Sequence, residues 1–172
     1  MALPRALQFP NPVNEVAARL VAAGTALQAV AYLITGWPIL LVTLAVGFVL
    51  RVLSGPRLSP LALLVTRVLV PRLDVAPRLV PGPPKRFAQG IGATLSVGAL
   101  LAWLAGASWL AFVLVAMIAV AAILEAAFAL CLGCRLFAAL MRAGVIPPEV
   151  CVACSDLSSR LSVASATADP VP

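Results

Sequence analysis

The chain has 172 residues, 63% hydrophobic and only 10% charged, with a mean hydropathy of +1.10; a soluble domain carries about a quarter charged residues, so a soluble globular protein is excluded. Twelve Lys and Arg against six Asp and Glu give a net charge of +6, and on so apolar a chain this basic excess points to a membrane surface rather than to nucleic acid. Histidine is absent, which removes Ser-His-Asp hydrolysis, HExxH metalloprotease chemistry and histidine metal ligation, and leaves cysteine to carry any chemistry.

Residues 1–19 lack the charged start, short apolar run and small-residue cleavage site of a removable signal, so the first span is expected to act as an uncleaved insertion signal. Asn14 is placed to N-cap that span. No charge interrupts Leu20–Leu50, 31 residues, or Phe87–Leu124, 38 residues. At about 1.5 Å per residue each run exceeds the roughly 30 Å hydrocarbon core. Each therefore reads as two helices, broken at Gly36-Trp37-Pro38 and at Gly106-Ala107-Ser108. The expected spans are 17–35, 37–53, 88–105 and 109–131. The first two are snug: they require Arg19 and Arg51 to snorkel their charged heads to the interface, or else a re-entrant hairpin. Trp37, Trp103 and Trp109 all lie at or beside the two breaks, where indoles favour the lipid–water boundary. Gln28 and Gln89 are expected to make interhelical hydrogen bonds.

The loop 54–87 holds seven of the fifteen prolines. Within it Ser59-Pro60 reads as the cap and first residue of a short helix to about Val70, too short to span and expected in the interface. Pro77–Pro84 reads as an extended connector. On the third span Gly90, Thr94, Gly98 and Ala102 fall four apart, a small-residue stripe expected to form a packing seam inside the bundle, with a homodimer face as the alternative. Glu125, in the fourth span, is a costly intramembrane carboxylate. It is read either as an ion-paired group held by Arg19 or Arg51, or as a proton-handling one. On an ideal helix it points away from both Cys131 and Cys134, so direct action on a thiol needs a helix distortion.

Charge sets the orientation. The segment Arg51–Arg86 holds seven basic residues and one acid, Asp74, so the positive-inside rule places it in the cytoplasm. Four spans then put both termini on the same side. The fold expected is an all-α integral membrane bundle of four transmembrane helices, spanning 17–134, with a short interfacial helix in the cytoplasmic loop. A cysteine-containing cytoplasmic segment, 135–156, and a disordered tail, 157–172, follow it.

All four cysteines lie in the last quarter, as Cys131-Leu-Gly-Cys134 and Cys151-Val-Ala-Cys154, giving C-x2-C-x16-C-x2-C. One reading is a structural four-thiolate site for zinc or iron, without enzymatic activity. The other is two redox dithiols that relay electrons or sulfur. The reducing cytoplasmic side disfavours static disulfides. Cys131 and Cys134 end the fourth span, where the helix dipole opposes thiolate unless Arg135 offsets it or Gly133 breaks the helix. Cys151 follows Pro148-Glu149, read as the first turn of a short helix, so it is expected to attack first, with Cys154 resolving and Cys131 and Cys134 as the second station.

Four segments, Pro10–Glu15, Gly55–Pro60, Pro81–Gly90 and Leu124–Cys134, make residues 10–156 resemble the bacterial membrane family called domain of unknown function 4395. That resemblance implies a multi-pass protein of the bacterial cytoplasmic membrane. By association with thioredoxin-like or rhodanese-like proteins, it also implies thiol chemistry with a soluble partner. Lys85-Arg86 in the third segment reads as a positive-inside anchor that could also attract an anionic headgroup or a sulfur oxyanion.

Overall fold

Asn14 caps the first long helix as its chemistry predicts: its Oδ1 accepts the Val16 N–H at 3.0 Å, and Glu15 follows in the first turn. The computed structural model describes residues 9–73, 76 and 78–151. Helix α1 (Glu15–Thr35) ends on Gly36, whose left-handed φ of 67° lets its N–H reach Tyr32 O at 2.7 Å. A side chain would oppose that conformation. Pro38 then opens α2 (Pro38–Ser54), where its missing N–H costs nothing. The second tight reversal, around Gly106 at φ 82°, joins α5 (Gly82–Leu104) to α6 (Ser108–Phe128). Both breaks fall where the sequence places them, and Trp37 and Trp109 stand exposed beside them.

These helices are long and apolar enough to cross a membrane, and they mark the chain as a membrane protein. Helix α1 packs on α6, α6 on α5, α5 on α2 and α2 on α1, closing a ring. Toward the reversals the ring is filled by Ala29, Tyr32, Leu41, Leu44, Ala99, Ala111 and Val115, with alanines letting the backbones approach. Gln28 makes the expected interhelical bonds, donating to Thr43 Oγ1 at 2.6 Å and Leu40 O at 3.2 Å.

The small-residue seam on α5 is displaced from its expected register. Thr94 is exposed and a Cβ added at Gly90 would meet nothing. The buried line is Gly92, Ser96 and Ala99, and a Cβ on Gly92 would run into the Phe48 ring. Of the expected stripe, Ala102 is buried and Gly98 faces Leu114 of α6. Four-residue spacing identifies a face but does not say which of two adjacent faces is inward.

At the opposite end of the ring the chain braces itself. Strand β1 (Val13–Asn14) pairs antiparallel with β2 (Leu79–Val80), with Val13 opposite Val80. Glu15 adds a backbone bond to Arg78 O at 2.7 Å and an ion pair with Arg78 at 3.0 Å. Asn11 Oδ1 accepts the Gly82 N–H at 3.0 Å. Helix α5 consequently begins at Gly82, six residues before the expected start at 88, because prolines are tolerated in a first turn and Asn11 supplies the cap.

Between α2 and β2 a 3-10 turn (Gly55–Arg57) leads to α3 (Pro60–Leu64), which runs through a π turn (Val65–Leu69) into α4 (Val70–Arg72). This segment starts at Pro60 as expected and lays Ala62 and Val65 on Ala17 and Val21 of α1. Helix α6 stops at Phe128, short of the expected 131, with Ala129 left-handed at φ 56°. The physical reason is Arg19, which donates to Ala126 O at 3.1 and 2.9 Å and to Ala127 O at 3.2 Å. A cation on the orphan carbonyls stabilises a helix end there. A further amphipathic helix, α7 (Leu132–Arg142), folds across the start of α5: Phe137 is buried edge-on against Phe87 at 5.6 Å, and Gly133 sits on Ala88.

Candidate functional site

The stop at Ala129 reverses the electrostatics expected for the first cysteine pair. Cys131 does not close α6; it is the N-cap of α7, with extended backbone at φ −82°, ψ 103°. Its Sγ accepts the Cys134 N–H at 3.4 Å and lies 2.6 Å from Cys134 Sγ, which donates to it. Both are free thiols. The positive end of α7 therefore faces Cys131, and a thiol at a helix N-terminus followed by a second three residues on is an arrangement that favours thiolate. The hydrogen bond from the Cys134 thiol holds Cys131 below the ordinary thiol range, against its own burial and Glu125; Lys85 and the Cys134 amide help. The same bond, together with burial, pushes Cys134 well up. The pair is thus split into a more acidic and a less acidic thiol. Forming an S–S bond of about 2.05 Å from this geometry takes little movement.

Beside the pair, Lys85 Nζ lies 2.6 Å from Glu125 Oε1, with side chains only 11% and 16% exposed. Neither of the partners expected for Glu125 holds it. Arg19 is occupied at the end of α6, and Lys85 reaches across because α5 starts early. The helix break also supplies the distortion that a link between Glu125 and the thiols needs: the charges of Glu125 and Lys85 both act on Cys131 and Cys134.

Arg51 does not snorkel. It turns into the ring at 5% exposure, donates Nη1 to Thr25 Oγ1 at 2.9 Å and lies 4.3 Å over the Phe48 ring. Among the described residues, its Nε and the buried Oε1 of Gln89 have no hydrogen-bond partner. The interhelical bond expected of Gln89 is therefore missing at that atom. Nothing in the composition marked Arg51 as buried; its only signal was a charge at the edge of an otherwise uncharged helix.

Two spaces meet at Cys131. An inner cavity of about 250 Å³ inside the ring is lined by apolar side chains together with Thr25, Arg51, Gln89, Glu125 and Cys131. An outer groove of about 410 Å³ carries Glu15, Lys85, Cys131, Cys134 and Arg135. Cys131 and Glu125 border the inner space, Cys134 and Lys85 the outer one, and Cys131 belongs to both.

The second cysteine pair is only half in view. Pro148–Cys151 does form a helical turn, but a single 3-10 turn with Cys151 as its last residue. The dipole expected to activate Cys151 therefore belongs to Cys131. Cys151 is buried at 3% exposure and is disulfide-bonded. Cys154, like the tail 157–172, lies outside the described residues. Among the described residues no three His, Cys, Asp or Glu side chains gather as a metal site would require.

The chain belongs to the family described as domain of unknown function 4395 (DUF4395), which matches residues 13–142. The match takes in Lys85, Glu125, Cys131 and Cys134 and stops before Cys151. No curated protein and no solved structure matches the chain.

Proposed function

We propose that this protein is a thiol–disulfide exchange component of a bacterial cytoplasmic membrane, with both termini and the cysteine end of the bundle in the cytoplasm and Cys131–Cys134 as its working redox pair. The observation that carries the reading is the placement of Cys131 as N-cap of α7, in contact with Cys134 and beside the Lys85–Glu125 pair. Its natural partner is a soluble thioredoxin-like or rhodanese-like protein that presents a pair of thiols to the outer groove.

Starting from the oxidised pair, a partner thiolate attacks Cys134 Sγ, the member facing only the outer groove. The Cys131–Cys134 bond breaks and Cys131 leaves as thiolate, which is the better leaving group because its thiol is the more acidic. The partner's second thiolate then attacks the mixed disulfide and releases Cys134. The partner loses two electrons and two protons and becomes a disulfide; Cys131 and Cys134 gain them and become thiols. Cys151 and Cys154 serve as the second pair, exchanging with the first.

The reading is tested by incubating the full chain in nanodiscs with a soluble dithiol–disulfide couple and counting alkylatable thiols. Loss and recovery of the Cys131 and Cys134 thiols, each identified by mapping the alkylated residue, is the expected result, and Cys131→Ala or Cys134→Ala is expected to leave the other member of the pair permanently alkylatable. Cys131 and Cys134 that stay alkylatable throughout in the unsubstituted chain overturn it.

A further inference from the structure

The exchange reaction leaves open what re-oxidises the pair. We infer that the inner cavity binds the ring of a lipid-soluble quinone, which takes the two electrons that Cys131 and Cys134 receive from the soluble partner. This deepens the proposed function and rests on it.

The cavity lies inside the helix ring at the cysteine end, and Met117 and Leu136 on its border are about half exposed on the outside of the bundle. A ligand dissolved in the bilayer therefore reaches it sideways without crossing the polar end. Its walls are apolar except for a few convergent polar groups, the usual character of a small-molecule site. A buried polar group without a partner is costly, and the two residues that carry such groups line both this space and a smaller neighbouring one of about 170 Å³. Arg51 Nε is an orphan donor on a side chain 95% buried, and Gln89 Oε1 an orphan acceptor. A quinone carbonyl accepts a hydrogen bond, and the hydroxyl that replaces it on reduction donates one. Arg51 as donor and Gln89 as acceptor supply the two kinds of group that the two oxidation states of a quinone call for. A small anion would satisfy Arg51 alone and would face the Glu125 carboxylate.

The chemistry balances. One quinone and the Cys131 and Cys134 thiols give one quinol and one Cys131–Cys134 disulfide: two S–H bonds break, one S–S bond and two O–H bonds form, and two electrons pass to the ring. Cys131 borders both the cavity and the outer groove, so electrons enter at Cys134 and leave beside Cys131. Glu125, on the cavity side and bonded to Lys85 on the groove side, is placed to carry the protons.

The test adds short-tailed benzoquinone and naphthoquinone, in separate arms, to the pre-reduced full chain in anaerobic nanodiscs. It follows quinone absorbance and free thiols together. The expected result is loss of two thiols per quinone reduced in at least one arm, and the faster arm identifies the ring type. Arg51→Gln is expected to slow quinone reduction about 10- to 100-fold, the effect of losing one charged hydrogen bond. Because Arg51→Gln can fail to fold, Ala121→Phe, which fills the cavity from α6, provides a second variant. It is expected to block quinone reduction while a soluble disulfide still oxidises the pair at the unaltered rate. Cycling with soluble disulfides in the unsubstituted chain but no quinone reduction in either arm overturns the quinone site and leaves the exchange function standing. Quinone reduction undiminished in both variants also overturns it. Failure to cycle with any disulfide overturns the proposed function itself.

Discussion

Cys134 Sγ meets Cys131 Sγ at 2.6 Å, and this contact, with the N-terminus of α7 and Lys85 beside it, sets two chemically identical side chains apart. Cys131, the acceptor, sits at the helix N-terminus and is the more acidic; Cys134, the donor, is the less acidic. Cysteine alkylation as a function of pH checks this asymmetry directly. Cys131 is expected to reach half-maximal alkylation below the ordinary thiol value of about 8.5, and Cys134 above it. In Cys134→Ala the Cys131 midpoint is expected to move up, because the largest contribution to its acidity is gone. Equal midpoints for the two thiols would contradict the asymmetry.

The Lys85–Glu125 pair is buried enough that breaking it and neutralising it should differ. Lys85→Met leaves a carboxylate without its cation and is expected to cost about 3–5 kcal/mol, the range for orphaning one partner of a buried pair. Lys85→Met with Glu125→Gln removes both charges and is expected to recover most of that loss. Thermal unfolding of the four chains of this double-mutant cycle in one detergent gives the coupling. Additive losses would mean that the two side chains act independently.

The ring's close approach at Gly92 makes a contrast with Gly90. Gly92→Ala forces the Phe48 ring aside and is expected to destabilise by about 1–3 kcal/mol, as overpacking does. Gly90→Ala meets open space and is expected to be neutral or to stabilise by up to about 1 kcal/mol through helix propensity. Unfolding temperatures of the two variants decide it, and the reverse order would place the packing seam where the four-residue spacing first suggested.

Much of this fold was legible because local rules agree with one another. The two glycine breaks, the Asn14 cap and the proline starts at Pro38 and Pro60 are each set within a few residues. The contact between Cys131 and Cys134 follows from their spacing. The features that define the site were not legible, because each depends on a distant residue. Arg19 ends α6 from more than a hundred positions away, and that early stop turns Cys131 from a helix C-terminus into an N-cap. Asn11 lets α5 begin at Gly82, which brings Lys85 to Glu125. Arg51 reads as a snorkelling charge in sequence, yet it turns inward onto Thr25 and Phe48.

Arg19 links the first and fourth long helices, so its loss should be felt at the thiols. Arg19→Met is expected to destabilise by about 1.5–3 kcal/mol, the scale of a charged hydrogen bond. It should also raise the pH of half-maximal Cys131 alkylation, as α6 runs on and the N-cap is lost. A variant that is less stable but keeps the Cys131 midpoint would separate the cap from the chemistry.

The central claim is that Cys131 and Cys134 form a reversible two-electron couple. Its most direct measurement is a redox titration of the full chain, purified anaerobically, with mass-tag alkylation and metal content read on the same samples. The account predicts that Cys131 and Cys134 disappear and return together in one two-electron step, in protein free of stoichiometric metal. About one zinc or iron per chain, with all four cysteines protected across the whole range of potentials, would contradict it and favour a structural four-cysteine site.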